Sequence, residues 1–100
     1  MKKAMIITIG TGFGVDNGVA FSVRQQNPDL LCFIYSKESE KTLEAVLTKL
    51  SKKREEVLLK QFDEINDVEI LYQEYSKYID QILRKGYLPN EVVADYTSGT

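Results

Sequence analysis

The sequence predicts an α/β domain in which a parallel β-sheet is covered by helices on both faces. Two features of the 100-residue chain predict this architecture: short continuous apolar segments, and helical repeats of apolar residues between them. Continuous apolarity suits strands buried on both faces, and strands that alternate with helices form parallel βαβ units. The composition, 43% hydrophobic and 28% charged, is that of an ordinary soluble globular protein.

Four apolar segments are predicted as strands because they are short, mostly β-branched or leucine-rich, and bounded by turn residues. They are Ala4 to Ile9, Leu30 to Tyr35, a segment with Val57, Leu58, Leu59 and Phe62, and Glu91 to Asp95. Right-handed crossovers restrict how such strands connect, and the commonest solution gives the strand order 3-2-1-4. We therefore expect a Rossmann-like three-layer sandwich.

Three helical patterns separate the strands. Asp16 or Asn17 is expected to cap the first helix, and residues within Ser36 to Ser39 are expected to cap the second. The third begins after Asn66 or Asp67 and ends at Gly86, a typical C-cap glycine. Its predicted sheet-facing stripe contains Val68, Leu71, Tyr72, Tyr75, Ile79 and Ile82.

Composition and charge exclude several functions. The chain has one cysteine, Cys32, and no histidine, which excludes an internal disulfide, cysteine-based zinc clusters, and Ser-His or Cys-His catalysis. Cys32 is predicted to be a core residue, and no metal site is expected. The net charge of -2 argues against general nucleic-acid binding, and DNA binding is not expected. No segment reaches the roughly 20 apolar residues of a membrane span, so a cytoplasmic protein is predicted.

Two loops rich in glycine and hydroxyl groups follow the first and fourth strands. They are Gly10-Thr11-Gly12-Phe13-Gly14 and Asp95-Tyr96-Thr97-Ser98-Gly99-Thr100. In the order 3-2-1-4 both loops lie at the switch point where open α/β sheets bind ligands. Glycines before a helix N-terminus suit an anion, so the pattern predicts a nucleotide-like ligand. Each loop alone could instead be an ordinary turn, and Val15 breaks the dinucleotide-binding pattern G-x-G-x-x-G.

These two loops resemble those of the CRISPR-associated Rossmann-fold (CARF) domain of type III CRISPR systems. In that family the fourth strand typically ends in Asp-x-Thr/Ser-Gly-Gly-Thr, and Ser98 stands here where the first glycine is common. Tyr35-Ser36-Lys37-Glu38 after the second strand is also similar to the family. The resemblance implies an antiviral defence protein whose homodimer senses a cyclic oligoadenylate second messenger. It implies no separate cofactor.

Carried over by position, the resemblance implies a set of ligand-binding residues. They are Gly10, Thr11, Gly12 and Phe13 after the first strand, Ser36 and Lys37 after the second, and Thr97, Ser98, Gly99 and Thr100 after the fourth. Asp95 is added on its chemistry, because its carboxylate can accept from a ribose hydroxyl or fix the neighbouring loop. Family members usually continue into an effector, often a ribonuclease. Residues 1–100 are accordingly expected to be the N-terminal part of one such domain, lacking its later strands and effector, and not catalytic alone.

A second function, from a different class, is an enzyme that uses a nucleotide or nucleotide-sugar on a Rossmann-like fold. Asp95 or Lys37 could supply its catalytic groups. The missing third glycine and the absence of histidine count against this alternative. The two classes overlap, because some CARF domains cleave their own ligand, and Thr11, Ser98 and Thr100 would then be the groups to test.

Overall fold

The computed structural model describes residues 2–63 and 67–95, in which a parallel four-stranded sheet has helices on both faces. The strands are β1 (Ala4–Ile9), β2 (Leu30–Tyr35), β3 (Leu58–Gln61) and β4 (Val92–Asp95). The helices are α1 (Val15–Gln26), α2 (Glu40–Leu50) and α3 (Val68–Arg84). Short 3₁₀ turns span Lys37–Ser39, Arg54–Glu56 and Pro89–Glu91.

The strands lie in the order β3-β2-β1-β4, and every neighbouring pair is parallel. This confirms the predicted α/β fold and its strand order. In β1, Ile9 is paired with Tyr35 of β2, and Ile7 is paired with Asp95 of β4. The segments that follow β1, β2 and β4 therefore all leave the sheet at the same edge.

Strand β1 is the centre of the core, and all six of its residues are buried. Met5, Ile7 and Ile9 pack with α1 and α2 on one face of the sheet. Ala4 and Ile6 pack with α3 on the other face. Burial on both faces explains the continuous apolar sequence of this strand.

The predicted bounds of the outer strands need small corrections. Val57 precedes β3, although its side chain is buried in the core with α1 and α2. Glu91 belongs to a 3₁₀ turn, not to β4, because its carboxylate accepts a hydrogen bond from the Leu88 main-chain nitrogen at 2.7 Å. That bond holds the turn closed, and β4 begins one residue later.

The face that α3 turns to the sheet differs from the prediction at three positions, Val68, Tyr72 and Tyr78. Val68 is 79% exposed and Tyr72 is 64% exposed, whereas Tyr78 is buried. The buried stripe is Leu71, Tyr75, Tyr78 and Ile82, with Ile79 half-buried beside it. Val68 and Tyr72 lie on one flank of this stripe and Tyr78 lies on the other, so α3 is rotated about its own axis relative to the predicted face.

The helix ends are partly as predicted. Asp67 caps α3, because its carboxylate accepts a hydrogen bond from the Ile70 main-chain nitrogen at 3.2 Å. Gly86, with φ of 102°, follows the last turn as expected. The prediction for α1 was wrong: the N-cap is Gly14, and Asp16 lies inside the helix, where its carboxylate is 3.7 Å from the Lys49 ammonium.

No helix in residues 2–63 and 67–95 combines the length and apolarity needed to cross a membrane.

Candidate ligand-binding site

The candidate site is a cleft of about 280 Å³ between α1 and the end of β4. Phe13 and Gly14 line it from the loop after β1, Gly18 and Ser22 line it from α1, and Asp95 lines it from β4. The parallel pairing of β1 with β4 brings these segments together, because both strands end at this edge of the sheet. The cleft thus lies where open α/β sheets bind ligands.

The glycine-rich loop is a tight connection from β1 into α1. Gly10 is buried at the end of the strand, while Thr11 and Gly12 are exposed. The Gly12 carbonyl accepts a hydrogen bond from the Val15 main-chain nitrogen at 3.3 Å, which starts the first turn of α1. Gly14 has φ of 79°, a left-handed conformation that favours glycine.

The amino end of α1 faces this cleft without a capping side chain. Gly14 occupies the N-cap position, so no hydroxyl or carboxylate of that residue bonds the first main-chain amides. The helix dipole adds partial positive charge at the same end. Together, the uncapped first turn and the dipole make this end of α1 suited to a phosphate or another anion.

Phe13 is fully exposed at the rim of the cleft. Its relative exposure is 109%, the largest among the exposed large hydrophobic side chains of the described residues. An aromatic ring that stays exposed to water adds no burial energy to the stability of the fold. Its face can, however, stack on a nucleobase. This side chain suits the binding of a base beside the anion-binding end of α1.

Asp95 is held at the bottom of the cleft by contacts on both faces of the sheet. The Ser22 hydroxyl donates to its carboxylate at 3.3 Å, on the α1 side. The Tyr75 hydroxyl donates to its main-chain oxygen at 2.7 Å, on the α3 side. A carboxylate fixed in this way can accept a hydrogen bond from a ribose hydroxyl.

Ser36 and Lys37 lie after β2, on the other flank of β1, and are not lining residues of this cleft. Ser36 is buried: its hydroxyl accepts from the Ser39 main-chain nitrogen at 3.3 Å, and its own nitrogen donates to the Ser39 hydroxyl at 2.8 Å. The Ser36 hydroxyl is therefore used in capping a turn. Lys37 is exposed, and its main-chain nitrogen donates to the Asp63 carboxylate at 3.0 Å.

Of the predicted site residues, the structure brings Phe13 and Asp95 together in the cleft, with Gly10, Thr11 and Gly12 in the adjoining loop. Thr97, Ser98, Gly99 and Thr100 lie outside the described residues. Gly14 belongs to the predicted loop, whereas sequence reasoning missed the contributions of Gly18 and Ser22, which follow Gly14 in α1. Their spacing of four residues places small side chains on one face of a helix, which is the signal that could have identified them.

The titratable core residues offer no nucleophile for this site. Burial raises the pKa of the Cys32 thiol to about 12, so the thiol stays protonated at neutral pH. Burial also raises the pKa of Tyr78 to about 12. Within residues 2–63 and 67–95, no cluster of cysteine, aspartate or glutamate side chains could hold a metal ion. The chemistry that the cleft supports is hydrogen bonding and stacking.

Comparison with models of known protein families gives no match for this chain, and comparison with curated proteins gives none either. Any function proposed for the chain therefore rests on its loop sequences, its fold and the contacts at the cleft.

Proposed function

We propose that this chain is a ligand-sensing domain that binds cyclic oligoadenylate at the carboxyl ends of β1 and β4. The observation that carries the proposal is the parallel pairing of these two strands, since it joins the glycine-rich loop to the end of β4 at one edge. The resemblance of both loops to CARF domains supports the choice of ligand. In this proposal the domain regulates an antiviral defence protein.

Three features of the cleft fit the parts of a nucleotide. The uncapped amino end of α1 suits a phosphate, the exposed ring of Phe13 suits an adenine, and the Asp95 carboxylate suits a ribose hydroxyl. The carboxylate would repel a phosphate placed against it. A bound nucleotide is accordingly expected to direct its phosphate toward Gly14 and its ribose toward Asp95.

A homodimer is part of this proposal. A cyclic oligoadenylate repeats the same nucleotide around a ring, so a two-fold pair of identical clefts can bind two of its nucleotides at once. The exposed loop at residues 11–13 lies at the sheet edge, which suits contact with a ligand shared by two chains. The expected stoichiometry is one ring per two chains.

Isothermal titration calorimetry with a panel of ligands tests this proposal. We expect one or more cyclic oligoadenylates to bind with a stoichiometry of half a ring per chain, and linear oligoadenylates to bind more weakly. NAD and a nucleotide-sugar complete the panel. Binding of NAD or the nucleotide-sugar without a response to any cyclic oligoadenylate would overturn the proposal and favour a nucleotide-using enzyme.

A matched pair of variants locates the contact with the base. Phe13→Ala removes the exposed ring at the cleft and should weaken binding by about 1–3 kcal/mol, the usual contribution of one stacked base. Phe21→Ala removes an exposed ring from α1 that is not a lining residue of the cleft, so it should leave affinity unchanged. Equal effects of the two variants would contradict stacking at Phe13.

A further inference from the structure

A single buried hydroxyl group connects the ends of the two strands that carry the proposed site. Tyr75 lies in α3 and is only 1% exposed. Its hydroxyl donates a hydrogen bond to the main-chain oxygen of Asp95, the last residue of β4, at 2.7 Å. The same hydroxyl is hydrogen-bonded to the side chain of Thr8 in β1.

The direction of these hydrogen bonds follows from the number of protons. A phenol has one proton, and the Asp95 carbonyl can only accept it. The Thr8 hydroxyl therefore donates to the Tyr75 oxygen. The two hydrogen bonds together link β1 to β4 through the Tyr75 side chain of α3. Thr8 is fully buried, so these hydrogen bonds lie within the core.

These hydrogen bonds and the cleft lie on opposite faces of the sheet. Tyr75 packs with the core residues on the α3 face of the sheet, whereas the cleft lies on the α1 face. Thr8 precedes the glycine-rich loop by two positions, and Asp95 contributes its side chain to the cleft. Tyr75 thus bonds the main chain at the end of β4 and the Thr8 side chain near the end of β1 without being a lining residue of the cleft.

We infer that Tyr75 is a positioning residue, which sets the geometry of the ligand site from the opposite face of the sheet. Its hydroxyl holds the end of β4 against β1, and the carboxylate of Asp95 then reaches the cleft in a fixed position. Only the expected effect of Tyr75 on ligand affinity rests on the proposed function. Its effect on the end of β4 does not.

Tyr75→Phe removes the bridging hydroxyl and keeps the ring, and Tyr78→Phe is the matched control. Tyr78 is also buried, lies in the same helix and packs in the same cluster of core residues. In hydrogen exchange without ligand, Tyr75→Phe should speed exchange of the amides of residues 93–95 about three- to tenfold relative to the rest of the sheet. Tyr78→Phe should cause no such local change.

Thr8→Val provides a second variant in case Tyr75→Phe does not fold. It removes the donor to Tyr75 with little change of shape and should speed hydrogen exchange at the same amides, those of residues 93–95. In a double variant of Thr8 and Tyr75, the exchange rate of these amides should rise by less than the product of the two single effects. The reason is that both substitutions act on the same series of hydrogen bonds. Unchanged exchange at residues 93–95 in either single variant would overturn the positioning role.

Ligand affinity supplies the functional comparison. Tyr75→Phe should weaken binding of a cyclic oligoadenylate about three- to tenfold, while Tyr78→Phe should not weaken it. Equal affinity of wild type and Tyr75→Phe would overturn the link between Tyr75 and the site. If the wild type binds no cyclic oligoadenylate, the proposed function is overturned instead, and hydrogen exchange still decides whether Tyr75 positions the strand ends.

Discussion

The Ser22 hydroxyl of α1 donates a hydrogen bond to the Asp95 carboxylate of β4 at 3.3 Å, across 73 positions of sequence. Both residues line the candidate cleft, and the bond joins α1 to the end of β4. Gly18 and Gly14 lie about one and two helical turns before Ser22 on the same side of α1. The absence of side chains at these two positions is what leaves the cleft open.

The two glycines of the cleft should respond in opposite directions to alanine. Gly14→Ala places a side chain at φ of 79° and should destabilise the protein by about 1–2 kcal/mol. Gly18 is inside α1, where an added Cβ meets nothing within 4 Å, so Gly18→Ala should stabilise the protein by about 0.5–1 kcal/mol. Urea denaturation of both variants checks the signs. A destabilised Gly18→Ala would mean that the space beside α1 is not open.

The buried face of α3 predicts a contrast between two apolar residues of the same helix. Leu71→Ala should destabilise the protein by about 2–5 kcal/mol, because Leu71 is buried against the sheet. Val68→Ala, one turn earlier and 79% exposed, should change stability by about 0.5 kcal/mol or less. Chemical denaturation measures both. Similar losses for the two variants would contradict the orientation of the helix.

Burial of Cys32 predicts a loss of stability at alkaline pH. The thiol ionises near 9.0 when unperturbed but near 12 in the folded protein. Between these values the unfolded state binds fewer protons, so the free energy of unfolding falls as pH rises, by up to about 1.4 kcal/mol per pH unit. Below pH 9 this contribution is constant.

Urea denaturation near neutral pH and at about pH 10.5 measures this effect, with Cys32→Ala as the control. Wild type should lose more stability than Cys32→Ala between the two conditions, because the variant has no thiol to ionise. Burial also raises the pKa of Tyr78 to about 12, so Tyr78 should add an alkaline loss in both proteins, a smaller one in Cys32→Ala because the charge of Cys32 also raises that pKa. Equal losses in the two proteins would contradict the burial of the thiol.

The order of the strands could be predicted because it depends on sequence patterns that span whole strands and helices. It does not depend on any single side-chain contact. Six continuous apolar residues in β1 indicate burial on both faces, and the crossover rule then restricts the topology. The face of α3 was harder, because Tyr72 and Tyr78 both border the Leu71–Tyr75 stripe. Which of them is buried depends on the rotation of α3 about its own axis, and this is a tertiary property.

The site could be predicted as a place but not as a set of contacts. The loops after β1 and β4 followed from strand order and composition. The cap of α1 did not, because Asp16 and Asn17 are ordinary capping residues, and only the backbone geometry of Gly14 moves the start of the helix. The hydroxyl chain from Thr8 through Tyr75 to Asp95 joins residues distant in sequence, so no local pattern indicates it.

The most direct test of the proposed site is a titration followed by amide chemical shifts in a ¹H–¹⁵N NMR spectrum. A cyclic oligoadenylate is added to the isotope-labelled protein. Binding at the carboxyl ends of β1 and β4 predicts the largest shifts at Thr11, Gly12, Gly14 and Asp95. The amides of Asp29 and Tyr87, at the opposite edge of the sheet, should change little. Largest shifts at that opposite edge, or none in any amide at saturating ligand, would contradict the account.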